Sequence, residues 1–80
     1  MKVTVLCFGI TREILGGFSH EFELESDAKI KDLKDFLIEK YPSFQKLSSL
    51  RIAVNEEYAE DHTEIKETDE IVLIPPVSGG

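Results

Sequence analysis

Ser26-Asp27-Ala28-Lys29-Ile30-Lys31-Asp32-Leu33-Lys34-Asp35-Phe36-Leu37-Ile38-Glu39-Lys40-Tyr41-Pro42 is the stretch on which the reading of this sequence turns. Ile30, Leu33, Phe36, Leu37 and Tyr41 recur at helical spacing, with Lys31, Asp32, Lys34, Asp35 and Glu39 elsewhere on the cylinder. Ser26-Asp27 supplies the turn and start signal. Pro42 cannot continue a helix and pushes Tyr41 out of helical geometry, so the pattern predicts one amphipathic helix that stops near Lys40.

On either side of this helix the sequence reads as strands. Upstream, Val3 to Phe8 is β-branched and aromatic with no breaker, and Gly9 ends it. Thr11 is placed to cap a single helical turn through Ile14-Leu15, closed by Gly16-Gly17. Phe18 and then His20 to Leu24 follow, with Phe22 and Leu24 alternating against Glu21 and Glu23. Downstream, Ser43 to Ser49 is a connector, and Leu50, Ile52 and Val54 alternate with Arg51, Ala53 and Asn55. Asn55-Glu56-Glu57 makes a tight turn into a short strand at Tyr58-Ala59, Asp61 to Asp69 is a polar loop around Ile65, and Glu70 to Ile74 is the last strand. Two terminal strands lying side by side, crossed by one main helix, predict an α+β fold of the β-grasp (ubiquitin-like) type. Its mixed sheet is covered by the helix on one face, with a folded domain over 1–74 and an extended tail over 75–80.

Composition narrows the function classes. The 80 residues carry 9 Lys and Arg against 16 Asp and Glu, a net charge of −7, with 41% apolar and 31% charged residues. That is one folded domain, too apolar for an acidic disordered tail. Nucleic-acid binding rests on cations that neutralise phosphates, so the charge argues against it and favours a basic protein surface as partner. Cys7 is the only cysteine, which excludes an internal disulfide and a multi-thiol metal cluster and fits a reducing compartment. No apolar run approaches the roughly 15–20 residues of a signal or a membrane span, so the expectation is a cytoplasmic chain. A domain this small buries only about 60–65% of its unfolded surface, and burial in a complex would help to stabilise it.

One helix covers one face of a sheet, so strand parity separates core from surplus. With Val3, Val5 and Cys7 toward the helix, Leu6 and Phe8 face away, and the last strand is apolar on both sides, Ile71 and Leu73 against Val72 and Ile74. Leu6, Phe8, Val72 and Ile74 are therefore assigned a docking role beside the chain's exit point. The alternative is that the loop Gly9 to Gly17 folds over them.

Pro75-Pro76-Val77-Ser78-Gly79-Gly80 reads as a tail that leaves the sheet stiffly and becomes flexible at its glycines. Six extended residues reach at most roughly 20 Å, enough to enter another protein's active site, and two glycines thread a narrow channel. With the chain taken to finish on Gly80, its carboxylate has a pKa of roughly 3.3–3.7 and is a poor electrophile at neutral pH. An ATP-dependent enzyme that makes it an acyl-adenylate would open it to a sulfur or amine nucleophile, and the tail would be a carrier. A frayed terminus is the bland alternative.

The ending Asp69-Glu70-Ile71-Val72-Leu73-Ile74-Pro75-Pro76-Val77-Ser78-Gly79-Gly80, the segment Phe8-Gly9-Ile10-Thr11-Arg12-Glu13 and Ala53-Val54-Asn55 resemble the MoaD family, the ubiquitin-like small subunits of molybdopterin synthase, and the resemblance spans essentially the whole chain. It implies that Gly80, presented by Gly79, is adenylated by a MoeB-like enzyme using ATP and magnesium and converted to a thiocarboxylate. The sulfur would be spent in a MoaE-like large subunit, which turns cyclic pyranopterin monophosphate into the dithiolene of molybdopterin. The chain itself would bind no cofactor and no metal. Phe8, Arg12 and Ile74 fall on family positions that contact the partner, and Pro75, Pro76, Val77 and Ser78 would follow into its channel. Thr68 stands where the family often has Gly, and Leu73-Ile74 where it often has an aromatic pair.

Other functions for such a tail are a protein modifier joined through Gly80 to lysines, or a carrier for thiamin or thiolated-RNA synthesis. A binding module with an inert tail is the fourth. Arg12 either meets a partner carboxylate or forms a surface ion pair. His20 and His62 lack ligand-like spacing, Cys7 has no neighbouring base and reads as a packed thiol, and Glu56-Glu57, Glu60-Asp61 and Glu64 are a solvated face or a steering charge.

Overall fold

Val3, Val5 and Cys7 alternate with Lys2, Thr4 and Leu6, and β1 (Lys2–Cys7) turns this alternation into geometry: the odd-numbered side chains are fully buried and the even-numbered ones face out. The computed structural model describes residues 1–47 and 50–75. After β1 come α1 (Ile10–Leu15), β2 (Ser19–Glu23), α2 (Ile30–Lys40), a 3-10 turn (Pro42–Lys46), β3 (Arg51–Val54), β4 (Glu57–Tyr58) and β5 (Glu70–Ile74). The five strands form one mixed sheet in the order β2-β1-β5-β3-β4. This is the expected β-grasp, with α2 as its main helix.

The central pair, β1 and β5, is parallel, with Val5 opposite Ile71 and Cys7 opposite Leu73, whereas the other pairings are antiparallel. Parallel neighbours end on the same edge of the sheet. Phe8-Gly9 and Ile74-Pro75 therefore emerge side by side. Ile30, Leu33 and Leu37 of α2 pack in one core with Val3, Val5, Ile52, Ile71 and Leu73. Each such side chain stabilises the fold by about 1.5–3 kcal/mol relative to exposure.

The start of α2 differs from the sequence reading. Ser26-Asp27 makes a turn, with the Ala28 N–H donating to Glu25 O, but the helix begins only at Ile30. Lys29 bridges to Glu64 and the Ile65 N–H donates to Ala28 O, which keeps 28–29 extended. The polar loop then closes the helix end: Ile30 N–H donates to Thr63 O and Lys31 N–H to Asp61 O, both at 2.9 Å. The Asp32 carboxylate accepts the Lys29 N–H at 2.8 Å. These bonds satisfy donors that a helix start leaves orphaned. Pro42 stops α2 at Lys40 as expected, but the following connector is not featureless: it forms the 3-10 turn that drives Phe44 into the core.

The β3–β4 turn puts Asn55 and Glu56 at φ 51° and 71°, the left-handed geometry that suits a two-residue hairpin. Asn55 also clamps the start of β5. Its side-chain amide donates to Asp69 and its Oδ1 accepts the Glu70 N–H at 2.9 Å. The seventy-odd residues of the described domain thus bring both ends of the hairpin and the entry to the last strand into one fixed register.

Candidate docking face and tail root

The face of the sheet away from α2 is built from every second residue. Leu6 pairs with Val72, Val72 with Ala53, Ile74 with Arg51, and Ala53 with Tyr58, and residues paired in register share a face. Phe8, one step past β1, continues that row next to Ile74. Phe8 is 51% exposed and Tyr58 62%, Leu6, Val72 and Ile74 are half-buried, and Ala53 is shielded by its larger neighbours. The apolar surface expected from parity is therefore present at the end of the sheet where the chain leaves it.

The alternative cover for this face, the segment Gly9 to Gly17, goes the other way. Thr11 and Leu15 of α1 are buried, Leu15 within the core cluster on the α2 side, so α1 closes the end of the core and leaves Phe8 in the open. Thr11 does not cap this helix, as the sequence suggested; Gly9 occupies the N-cap position. The Thr11 hydroxyl instead donates to Phe8 O at 2.6 Å and accepts the Phe8 N–H at 3.0 Å. This two-way clasp fixes the backbone of Phe8 just where it leaves the sheet.

Gly9 is the point of close approach beneath the tail root. Its φ of 59° and ψ of −134° lie where side chains are strained. A Cβ there would also meet Cγ of Pro75 at 3.0 Å. The absence of a side chain at Gly9 lets the Pro75 ring sit against the start of α1. Pro76, Val77, Ser78, Gly79 and Gly80, to which the sequence reading gives the tail's chemistry, lie outside the described residues.

Of the predicted site residues, Phe8, Ile74 and Pro75 are gathered at one edge of the sheet. Arg12 is exposed on α1, and its N–H donates at 3.1 Å to the carbonyl of Gly9, the glycine against which Pro75 packs. Its side chain forms no ion pair among the described residues. Arg51 and Tyr58 were missed as members of this face. Register arithmetic would have found them, because a two-residue turn at 55–56 places Tyr58 opposite Ala53 and on the side of Val72.

The remaining polar candidates lie elsewhere. Cys7 is buried, and burial pushes its thiol pKa up, the opposite of what a nucleophile needs. His20 stacks on Phe22 with ring centroids 6.2 Å apart, while His62 lies 3.5 Å from the Glu60 carboxylate in solvent. Asp61 has its pKa lowered by the hydrogen bond from Lys34 at 2.6 Å and by that ammonium's charge. No helix among the described residues is long and apolar enough to cross a membrane.

Against known proteins, a family model described as the ThiS family matches residues 5–80. The chain belongs to this family. Among curated relatives, a molybdopterin synthase sulfur carrier subunit of Caenorhabditis briggsae is 34% identical over 83 aligned positions, covering 100% of this chain and 99% of the relative. The resemblance to MoaD-type small subunits drawn from the sequence is thereby supported over the whole ThiS-family domain. Among solved structures, one from Pyrococcus furiosus described as subunit 1 of a molybdopterin converting factor superposes with a TM-score of 0.87 at 28% identity, covering 96% of this chain and 99% of that one. A subunit in a complex of subunits 1 and 2 of molybdopterin-converting factor from Helicobacter pylori gives 0.68 at 32% identity with 100% of both chains covered. A small archaeal modifier protein of Methanosarcina acetivorans gives 0.80 at 28%, covering 99% and 96%.

Proposed function

We propose that this ThiS-family chain is the sulfur-carrier small subunit of a molybdopterin synthase. In this reading a MoeB-like enzyme, with ATP and magnesium, joins the Gly80 carboxylate to AMP and releases pyrophosphate. Hydrosulfide then attacks the acyl carbon and AMP leaves, which yields the thiocarboxylate. A MoaE-like large subunit receives the tail, the thiocarboxylate sulfur bonds to carbon of a cyclic pyranopterin monophosphate as the dithiolene is built, and water breaks the bond between that sulfur and the acyl carbon, returning Gly80 to its carboxylate. Phe8, Ile74 and the half-buried side chains beside them dock the domain, Arg12 adds a polar contact, and Pro75 through Ser78 lead Gly79 and Gly80 into the partner.

The observation that carries this reading is the placement, directly at the root of the tail, of an apolar face that no other described element covers. A partner that covers Phe8 and Ile74 buries apolar surface and at the same time draws in the residues that follow Pro75. The named relative and the Helicobacter complex support the choice of pathway and partner. The modifier-like structure supports a second reading in which Gly80 is joined to lysines.

Complementation tests the proposal. In cells whose own small subunit is deleted, this chain is expected to restore molybdoenzyme activity, and the same chain lacking Gly80 is not. Failure of the intact, folded chain to restore activity, with Gly-Gly remnants found on lysines of other proteins, would replace the proposal with the modifier reading.

A further inference from the structure

The β3–β4 hairpin presents a group that the docking of an acidic, apolar-faced domain does not require. Arg51 and Tyr58 are both exposed on the outward face, and the guanidinium carbon lies 4.3 Å from the centre of the Tyr58 ring. By register the Arg51 backbone is opposite Ile74, the last residue of β5, while its guanidinium lies over Tyr58 of the edge strand β4, so this cation marks the β4 rim of the apolar patch, across β3 from the tail root. Arg12 and Arg51 are the two arginines of a sequence with net charge −7. Among the described residues no carboxylate forms an ion pair with Arg51.

A guanidinium stacked on an aromatic ring is held by its face, which leaves the in-plane N–H fork free. That fork fits a carboxylate with two parallel hydrogen bonds. Stacking also removes much of the rotamer freedom that a lone surface arginine would lose on binding, so the complex gives up less entropy when the bond forms. Arginine and tyrosine are, moreover, the residue types in which binding energy concentrates at protein interfaces. A surface lysine in the same place would have neither the stacking nor the fork.

We infer that Arg51, held by Tyr58, receives an aspartate or glutamate side chain of the large subunit at the β4 rim of the docking face. The inference rests on the docking reading above and sharpens it. The general negative charge of the domain steers it toward a basic surface, while the Arg51 fork demands one acidic group at a defined place on that surface. Together they fix the orientation in which the tail meets its channel.

Calorimetric titration of the full chain into the large subunit, at two ionic strengths, is the test. Arg51→Met keeps the apolar stem and removes the fork; it is expected to weaken binding at least about tenfold and to flatten the salt dependence. Arg51→Lys is expected to recover only part of the loss, because an ammonium cannot make the paired bonds. Tyr58→Ala, which frees the guanidinium, should weaken wild-type binding markedly but change the Arg51→Met chain less. Urea midpoints near that of the wild type confirm that each chain is folded. Wild-type binding with Arg51→Met within twofold of it, or with an unchanged salt slope, overturns the inference and leaves the function standing. Absence of any binding by the folded wild type overturns both.

Discussion

Gly9→Ala is the substitution through which the geometry of the tail root is most sharply measured. The backbone at φ 59° and ψ −134° is a conformation that a residue with a Cβ pays about 1–3 kcal/mol to adopt. The added methyl would stand 3.0 Å from Pro75 Cγ and 3.6 Å from Pro75 Cβ, so the ring must give by a few tenths of an ångström. Taken together the loss is about 2 kcal/mol, with most of it from the backbone. For a domain of this length that corresponds to a melting temperature lower by roughly 8–16 °C. Calorimetry and urea unfolding read it directly. Repeating the change in a Pro75→Ala background separates the two sources: Cγ is gone and the remaining contact is ordinary, so the cost should shrink only by its smaller part. A Gly9→Ala chain within about 0.5 kcal/mol of wild type, the usual range of an unconstrained surface change, would refute the assigned backbone strain. A cost that disappeared entirely with Pro75→Ala would refute its division between strain and contact.

Thr11→Val keeps the shape of a fully buried side chain but removes its hydroxyl, leaving the Phe8 N–H without its acceptor; unfolding in urea should show a loss of about 1–3 kcal/mol. Phe8→Ala and Leu33→Ala should part company: the core change costs about 2–5 kcal/mol and spares the docking face, whereas truncating the half-exposed Phe8 costs under about 1 kcal/mol and weakens capture by the large subunit. If the Phe8 change lowered stability as much as the Leu33 change, the face would be structural. The Asp61 carboxylate, with its pKa lowered by Lys34, favours the folded state at neutral pH and loses that contribution as pH falls through its folded value. Asp61→Asn should therefore lower the melting temperature at pH 7, with the difference closing in acid; a gap that persisted well below the carboxylate range would exclude this pair as its source.

The fold was legible because period and parity agree with each other. Val3, Val5 and Cys7 on one side, and a last strand apolar on both, state that one face is core and the other surplus, and the structure buries Ile71 and Leu73 while leaving Val72 and Ile74 half-covered. What escaped the reading was set by contacts distant in sequence. Nothing near Ser26 tells that 28–29 will pair with 64–65 and hold back the helix, nor that carbonyls at 61 and 63 will close its first turn. Phe44 and Leu47 are the two apolar residues of an otherwise polar connector, too short a pattern to signal a buried turn. Thr11 stood where a cap is common, but Gly9 already had the backbone for that position, and the hydroxyl went to Phe8. At the docking face, Phe8 and Ile74 were legible from parity alone, whereas Arg51 and Tyr58 needed the hairpin register as well.

In the proposed function sulfur is carried at Gly80, and the mass of the intact chain tests that most directly. After incubation with the activating enzyme, ATP, magnesium and a sulfur source, the chain is expected to gain the difference between one sulfur and one oxygen, with fragmentation placing the change on the last glycine and with no gain when ATP is withheld. An unaltered mass beside an activator that thiocarboxylates its known substrate, or a gain located at Cys7, would contradict it.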